Sequence, residues 1–409
     1  MPKVKSASYD VVVVGAGLLG CAITYHLVQA GFRVALFDKG LVAQEASLAG
    51  AGMLVPLAET EVASLAELEQ QTSSAQAFLK LCLAGLAYYK NLDLRLKEET
   101  GIDIELLQVP TLRPAFAEGE ASELQVALLT QRQLLPGLEW LEASVARKVE
   151  PLLAPTVQGA IISPSEHNVQ GGRLATAYAL GAAQLGAHIY EGQAVLRLLY
   201  QASNNSKEAQ LQPRVIGIET QTEQVLAEAV VVTAGAWSGQ WHYSPTQGEG
   251  EQAPIFPVKG QMLALRPPEQ SRLRHTIYYH KLGYMLPKAD GSIYVGATSE
   301  QAHFDKSVTV EGIATLLNVA TKLAPSLQKA TLERSWAGLR PGSADELPLI
   351  GASATAPGLW LATGHFRNGI LLGPITGFIL AELIQGKQAP FNLNLSAFAP
   401  DRFGAWSKF

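Results

Sequence analysis

A mixed α/β fold of two lobes is predicted by three observations. The apolar, β-branched run Tyr9 to Val14 ends in glycine, passes into a helical stretch, Leu18 to Ala30, and emerges as a second apolar run, Val34 to Phe37; this is a βαβ unit, the opening of a Rossmann-like lobe. Apolar segments return far downstream at His188 to Leu199, Arg214 to Ile218 and Val225 to Thr233, as expected for later strands of the same lobe. Beyond them Met262 to Leu265, Thr276 to Leu286 and Ser292 to Ala297 read as strands separated by turn signals such as KADG at 288–291, and so as a second, large and mostly antiparallel sheet.

Between these segments, residues Ala63 to Glu99 lack glycine apart from Gly85 and are rich in Ala, Leu, Glu and Lys, which predicts long helices; a further helix is expected over Arg173 to Leu185. Two polar stretches, Ser203 to Arg214 and Tyr243 to Ala253, read as surface loops without chemistry. Gly369 to Ile384, GILLGPITGFILAELI, is apolar enough to raise the question of a membrane span. It is shorter than the roughly 20 residues a bilayer requires and carries Pro374, Gly377 and Glu382, so a helix buried in the core is expected.

Composition narrows the function. Hydrophobic residues make up 48% of the 409 residues and charged ones 16%, with a net charge of −5, so there is no basic footprint for nucleic acid or anionic lipid. Only Cys21 and Cys82 occur, too few for a disulfide framework or thiolate metal site, and the eight histidines show no paired ligand spacing; no metal is expected. MPKVKSASYD runs straight into the first strand with no apolar leader, so a cytoplasmic location is expected. A hydrolase elbow of the GxSxG kind is absent.

The chemistry begins at Gly15-Ala16-Gly17-Leu18-Leu19-Gly20, a GxGxxG placed between strand and helix. Glycine at the first position permits the tight turn, at the second the approach of a pyrophosphate, and at the third close helix packing. The helix then aims its unpaired N–H groups and positive dipole end, from Leu18 and Leu19 onward, at the phosphates. Asp38, after the second strand, is placed to accept hydrogen bonds from ribose hydroxyls and to repel a 2′-phosphate, which implies FAD or NAD. Next comes a small-residue run, Ala46, Ser47, Leu48, Ala49, Gly50, Ala51, Gly52 and Met53, which suits backbone lying against a flat ring system; a flexible loop is the plainer alternative.

With AGAGML at 49–54, VVVTAGAWSG at 230–239, PVKGQ at 257–261, WAGLRPG at 336–342 and GHFRNGILLGP at 364–374, the sequence resembles the D-amino acid oxidase superfamily of FAD-dependent amine oxidoreductases, and within it the glycine oxidase branch, over nearly its whole length. The resemblance implies non-covalent FAD, since neither cysteine lies where related sarcosine oxidases carry a flavin-linking one. It implies a discontinuous FAD lobe (1–85, 150–240 and 330–409) and a substrate lobe (86–149 and 241–329). Further FAD contacts are implied at Lys39, Val195, Gly235, His365, Arg367, Asn368, Gly369, Ile370 and Leu371. The apolar helix that opens at Gly369 points its N-terminus at the flavin pyrimidine edge in that family, where the dipole stabilises the reduced, anionic ring.

By the same resemblance Arg340 grips the substrate carboxylate, for which a planar guanidinium offers two parallel donors, although an isolated Arg is more often a structural ion pair. Tyr284 corresponds to a carboxylate-binding tyrosine and Arg367 completes the reacting end. Leu282 and Gly283 stand where the branch carries more polar residues, so the amine preference stays open. The implied reaction is hydride transfer from the α-carbon of glycine or another small amino acid to flavin N5, with imine, ammonia and hydrogen peroxide as products, molecular oxygen as acceptor and no titrating protein base. A homo-oligomer and a role in building the thiazole of thiamine are implied by analogy alone. Sarcosine, other N-substituted glycines and D-amino acids remain as alternative substrates, a dehydrogenase as an alternative to an oxidase, and a non-catalytic dinucleotide-binding module as the alternative from another class.

Overall fold

The computed structural model describes residues 8–59, 73–201, 213–241, 243, 252–269 and 271–404. Its strands in the first half of the chain are β1 (Ser8–Val14), β2 (Val34–Phe37), β3 (Met53–Leu54), β4 (Thr111–Ala115), β5 (Glu139–Glu142), β6 (Gly159–Ser163), β7 (His167–Asn168) and β8 (His188–Tyr190). In the second half they are β9 (Val195–Tyr200), β10 (Val215–Thr220), β11 (Gln224–Val232), β12 (Ile255–Arg266), β13 (Thr276–Tyr279), β14 (Gly283–Pro287), β15 (Ile293–Gly296), β16 (Thr331–Ser343), β17 (Leu349–Ala352) and β18 (Leu359–Thr363). The helices that matter here are α1 (Leu18–Gln29), α2 (Ala46–Ala49), α3 (Ser73–Tyr88), α4 (Leu92–Thr100), α5 (Gly171–Gln184), α6 (Val310–Leu323) and α7 (Gly369–Ile384).

The first sheet has the order β17-β18-β11-β1-β2-β8, with β10 and β9 continuing from β11. β1 lies parallel to both β2 and β11, with Val11 to Val14 opposite Val34 to Phe37 on one side and Ala229 to Val232 on the other. Because side chains alternate along a strand, Val11 and Val13 enter the core beneath the helices while Val12 and Val14 enter the one on the opposite face. A strand buried on both faces has no need of polar alternation, which is why β1 reads as an unbroken apolar run. α1 packs on this sheet against α5 and α7. The close approach of α7 is set by Gly377, where a Cβ would stand 2.7 Å from that of Ala22. The apolar segment 369–384 is thus a core helix, mostly buried, as its length suggested.

The second sheet has the order β16-β12-β15-β14-β13-β4-β6-β5 and is antiparallel except between β13 and β4. One face carries Leu263, Leu265, Val295, Met285 and Ile277, sealed by Leu316, Val319, Ala320 and Leu323 of α6. The other face presents Met262, Ala264, Leu286 and Tyr294 toward Ala51 of the first lobe. The reacting end of the molecule is built on this second face.

Several boundaries differ from expectation. The single strand expected over 188–199 is two, β8 beside β2 and β9 beside β10, separated where Gly192 takes φ +68. Thr276 to Leu286 is a hairpin, β13 and β14, broken before Gly283 at φ +148. Met262 to Leu265 is the centre of β12, whose 12 residues pair with β16. Helix α5 begins two residues earlier than expected, and the long helical stretch breaks at Asn91, left-handed at φ 64, into α3 and α4; its residues 63–72 lie outside the described ones. The polar stretches 203–214 and 243–253 lie largely outside them too. β6 and β16 fall in segments assigned to the first lobe, yet both pair in the second sheet, because β16 needs β12 along its length and β6 bridges β4 and β5.

Candidate active site

At the end of β1 the chain turns where only glycine fits. Gly15 has φ +108, and a Cβ on it would meet the Thr233 carbonyl at 2.5 Å. Thr233 Oγ1 lies 2.7 Å from the Gly15 carbonyl and ties β11 to the turn. A Cβ at Gly20 would overlap that same carbonyl, so this third glycine sets how closely α1 stacks on the turn. Asp38 accepts from the Ala16 N–H at 2.6 Å through Oδ2 and from the Gly40 N–H at 2.7 Å through Oδ1. Its carboxylate therefore shapes the rim of the turn, and each oxygen retains acceptor capacity. Ser47 Oγ accepts from the Leu18 N–H at 2.8 Å, bringing the small-residue run to the start of α1.

A cavity of about 410 Å³ runs from this turn to the second sheet. Gly15, Gly17, Leu18, Leu19, Asp38 and Lys39 line one end; Ala46, Ser47, Ala51, Gly52 and Met53 form a wall; Val195 and Gly235 close it from the first sheet. His365, Arg367, Asn368, Gly369 and Ile370 enter from the start of α7, and Tyr284 and Arg340 from the second sheet. Two expected contacts are not among the lining. Gly20 packs beneath the turn, and Leu371, 1% exposed, points into the first lobe's core, because one residue along a helix rotates a side chain by roughly a quarter turn.

On the second sheet, period-two alternation places Gly260 and Met262 of β12 on one face with Gly338 and Arg340 of β16. Gly260 and Gly338 pair directly, leaving a strip of bare backbone. The guanidinium of Arg340 lies over Gly260, where any Cβ would overlap both of its terminal nitrogens; a Cβ on Gly338 would stand 2.5 Å from that of Ala49. Arg340 donates through Nη1 to the Thr298 carbonyl at 3.1 Å and the Lys259 carbonyl at 3.5 Å. Among the described residues no carboxylate pairs with it, and its hydrogen bonds go to backbone carbonyls. Tyr284 stands one strand further, over Gly296, its hydroxyl 3.8 Å from Met262 Sδ.

Electrostatics favour a negative guest. Neither α1 nor α7 has an acidic residue in its first turn, and both open on the cavity. His365 is buried, its Nε2 3.1 Å from Thr376 Oγ1, and burial pushes its pKa down to about 3, so it lines the cavity as a neutral ring. Lys39 lies 3.9 Å from the centre of the Trp237 ring, and both line the cavity. Arg367 is exposed at the mouth with its guanidinium 4.8 Å from the Phe366 ring. Sequence reasoning left Gly260, Gly338, Thr233 and Trp237 unassigned, although glycine inside two strand patterns is itself a sign of close approach.

The residues present fit a flavin dinucleotide. The turn at 15–17 has no side chain where phosphates must approach, Asp38 stands at the ribose end, and the wall at 46–53 is bare enough for a flat ring. Cys21 and Cys82 are both buried and unbonded to one another.

A family model described as "DAO: FAD dependent oxidoreductase" matches residues 10–383. Over 386 residues the chain is 34% identical to a glycine oxidase of Geobacillus kaustophilus, covering 94% of this chain and 95% of that protein. Over 421 residues it is 32% identical to hydrogen cyanide synthase subunit HcnC of Pseudomonas aeruginosa, covering 97% and 96%. The crystal structure of glycine oxidase from Geobacillus kaustophilus superposes with a TM-score of 0.84 at 33% identity, covering 97% of this chain and 99% of that one.

Proposed function

Because the chain belongs to the DAO family of FAD-dependent oxidoreductases, enzymes that oxidise small amines and amino acids, we propose that its substrate is glycine and its electron acceptor molecular oxygen. The observation that carries this reading is Arg340, a cation without a carboxylate partner among the described residues, held over bare glycine backbone in the cavity that begins at the dinucleotide turn. The glycine oxidase of Geobacillus kaustophilus supports the choice of amine. The Pseudomonas aeruginosa relative bears another activity name at nearly equal identity, so overall similarity alone does not select the product.

FAD, held without a covalent bond, supplies the two-electron acceptor. Asp38 and the two helix N-termini would hold its ribose and charged groups, and the run 46–53 would wall its ring. The Nε–Nη2 edge of Arg340, which bonds no acceptor among the described residues, receives the substrate carboxylate with two parallel donors. Tyr284 binds the same carboxylate from the neighbouring strands, so the α-carbon is oriented rather than chemically activated. Overall, glycine loses a hydride from carbon and a proton from nitrogen, and water converts the imine to glyoxylate and ammonia. Oxygen takes up the two electrons with two protons as hydrogen peroxide. A glycine-derived imine also suits the assembly of the thiazole of thiamine.

The test is anaerobic addition of glycine, sarcosine and D-alanine to the yellow protein, followed by peroxide measurement in air. Glycine bleaches the flavin with the highest kcat/KM on this reading; preference for another amine reassigns the substrate. Arg340→Ala retains FAD and raises the KM for glycine on the order of 100-fold, the loss of hydrogen bonds to a charged group. Normal turnover in that variant removes Arg340 from the site.

A further inference from the structure

The turn between β14 and β15 sends one side chain out of the second sheet and into the first lobe. Lys288 is 5% exposed, and its ammonium donates to the Ala51 carbonyl at 2.7 Å, to the Val169 carbonyl at 3.2 Å and to Asn168 Oδ1 at 3.5 Å. Three donors thus meet three neutral acceptors, and no carboxylate lies within ion-pair distance among the described residues. The Tyr294 ring covers the remaining side with its centre 5.0 Å away. Burial pushes the Lys288 pKa down to about 7.

The three acceptors are the back of the cavity wall. Ala51, Gly52 and Met53 line the cavity; Met53 pairs with Asn168 in the short β3–β7 ladder, and the Val169 N–H donates to the Gly52 carbonyl at 2.9 Å. Gly52 is held at φ +87, pressed so closely on Val169 that a Cβ would overlap its carbonyl. The wall therefore owes its shape to a backbone bend that no side chain of its own supports, with the ammonium joining the two chain segments from behind. Burial keeps water from competing for these carbonyls, and the three acceptors offset the cost of ordering and desolvating the side chain.

We propose that Lys288 is a positioning residue for the cofactor: a latch from the substrate lobe that fixes the Ala51–Gly52 wall in the shape the FAD ring requires, so that cofactor binding and the docking of the two lobes are one event. The proposal rests on the FAD reading of the cavity, and binding of FAD by the unsubstituted apoprotein is the control that tests that reading separately. Lys288→Met keeps the stem and removes the donors; Lys288→Arg keeps charge and donors. The measurements are the Kd for FAD on apoprotein, by quenching of flavin fluorescence, and the rise in Tm that saturating FAD produces. Lys288→Met is expected to weaken FAD binding at least ten-fold, to shrink the FAD-induced rise in Tm and to alter the visible circular dichroism of bound flavin, with Lys288→Arg recovering part of each. A purely structural lysine gives the opposite pattern, in which apo and holo Tm fall together and the Kd stays within two-fold of the unsubstituted protein, and that result overturns the proposal. Should Lys288→Met fail to fold, Lys288→Gln, which keeps neutral donors, is read by the same criteria.

Discussion

Gly260 is where a missing side chain does the most for the chemistry. Its absent Cβ leaves the volume that the Arg340 guanidinium occupies. Gly260→Ala is expected to displace the guanidinium, raising the KM for the amino acid at least ten-fold while FAD content and the flavin spectrum stay as they were, because the residue touches the substrate end alone. Gly338→Ala presses on Ala49 of the small-residue wall instead, so FAD affinity falls along with kcat/KM. Titrating each purified variant with FAD and then with glycine separates the two outcomes; identical behaviour of both variants defeats the assignment of separate ends. Arg340→Lys keeps the charge but gives up the planar pair of donors, and activity at saturating glycine is expected to recover less than KM does.

Among the elements, those around the glycine turn were legible in the sequence, whereas much of the second sheet was not. β1, α1 and β2 were legible because a doubly buried strand, a glycine turn and a capless helix each leave an unmistakable local pattern, and Asp38 followed from its position after β2. The split between β8 and β9 was not, because β8 takes its partner, β2, from far upstream, and neither was the hairpin β13–β14, whose turn residues 280–282 include no Gly, Asn, Asp or Pro to mark it. α6 and β16 also escaped notice; their apolar residues make sense only as the two sides of one contact under β12. At the site, the motif residues were legible, whereas Gly260 and Gly338 were visible only as letters within motifs until register placed them face to face. Gly377 gives the corresponding test for a helix. Placing Val there drives a branched side chain into Ala22 and forces α7 off α1, at a cost of about 1–3 kcal/mol for overpacking. Since α7 opens on the cavity, FAD should dissociate faster from Gly377→Val than from the unsubstituted protein; an unchanged off-rate with a lowered Tm would confine the effect to packing.

For the molecule as a whole, the buried ionisable groups set the direction in which pH acts. His26 sits in an aromatic cluster with Tyr25, Tyr88, Tyr178 and Phe378, its Nε2 3.2 Å from the Tyr88 hydroxyl. Burial, reinforced by the charge of Arg95, pushes its pKa down to about 3, and burial does the same to His365. The unfolded chain takes up a proton on each ring below its ordinary value of 6.5, and the folded chain refuses it until about 3, so the stabilisation from keeping these rings neutral is complete above 6.5 and is lost as pH falls through that window. At about 1.4 kcal/mol per pH unit and group, each ring removes roughly 3 kcal/mol between pH 6.5 and 4. Glu120 adds to the same trend lower down. Burial opposes its charge but is outweighed by the Phe116 N–H, Lys281 and Tyr279, which hold its pKa at about 2, so its contribution disappears between 4.5 and 2. Lys288 acts in another window: depressed to about 7 from 10.5, it makes folding more favourable as pH rises through that range and contributes nothing to acid lability. Tm is therefore expected to fall steadily from pH 7 to pH 4 and to rise slightly above neutrality. His26→Gln keeps an acceptor for Tyr88 but cannot titrate, and it lies away from the cavity lining, so its acid slope should be shallower by about one ring's share while FAD affinity at pH 7.5 is unchanged. Parallel Tm–pH curves for the two proteins would place the acid sensitivity in the surface carboxylates instead.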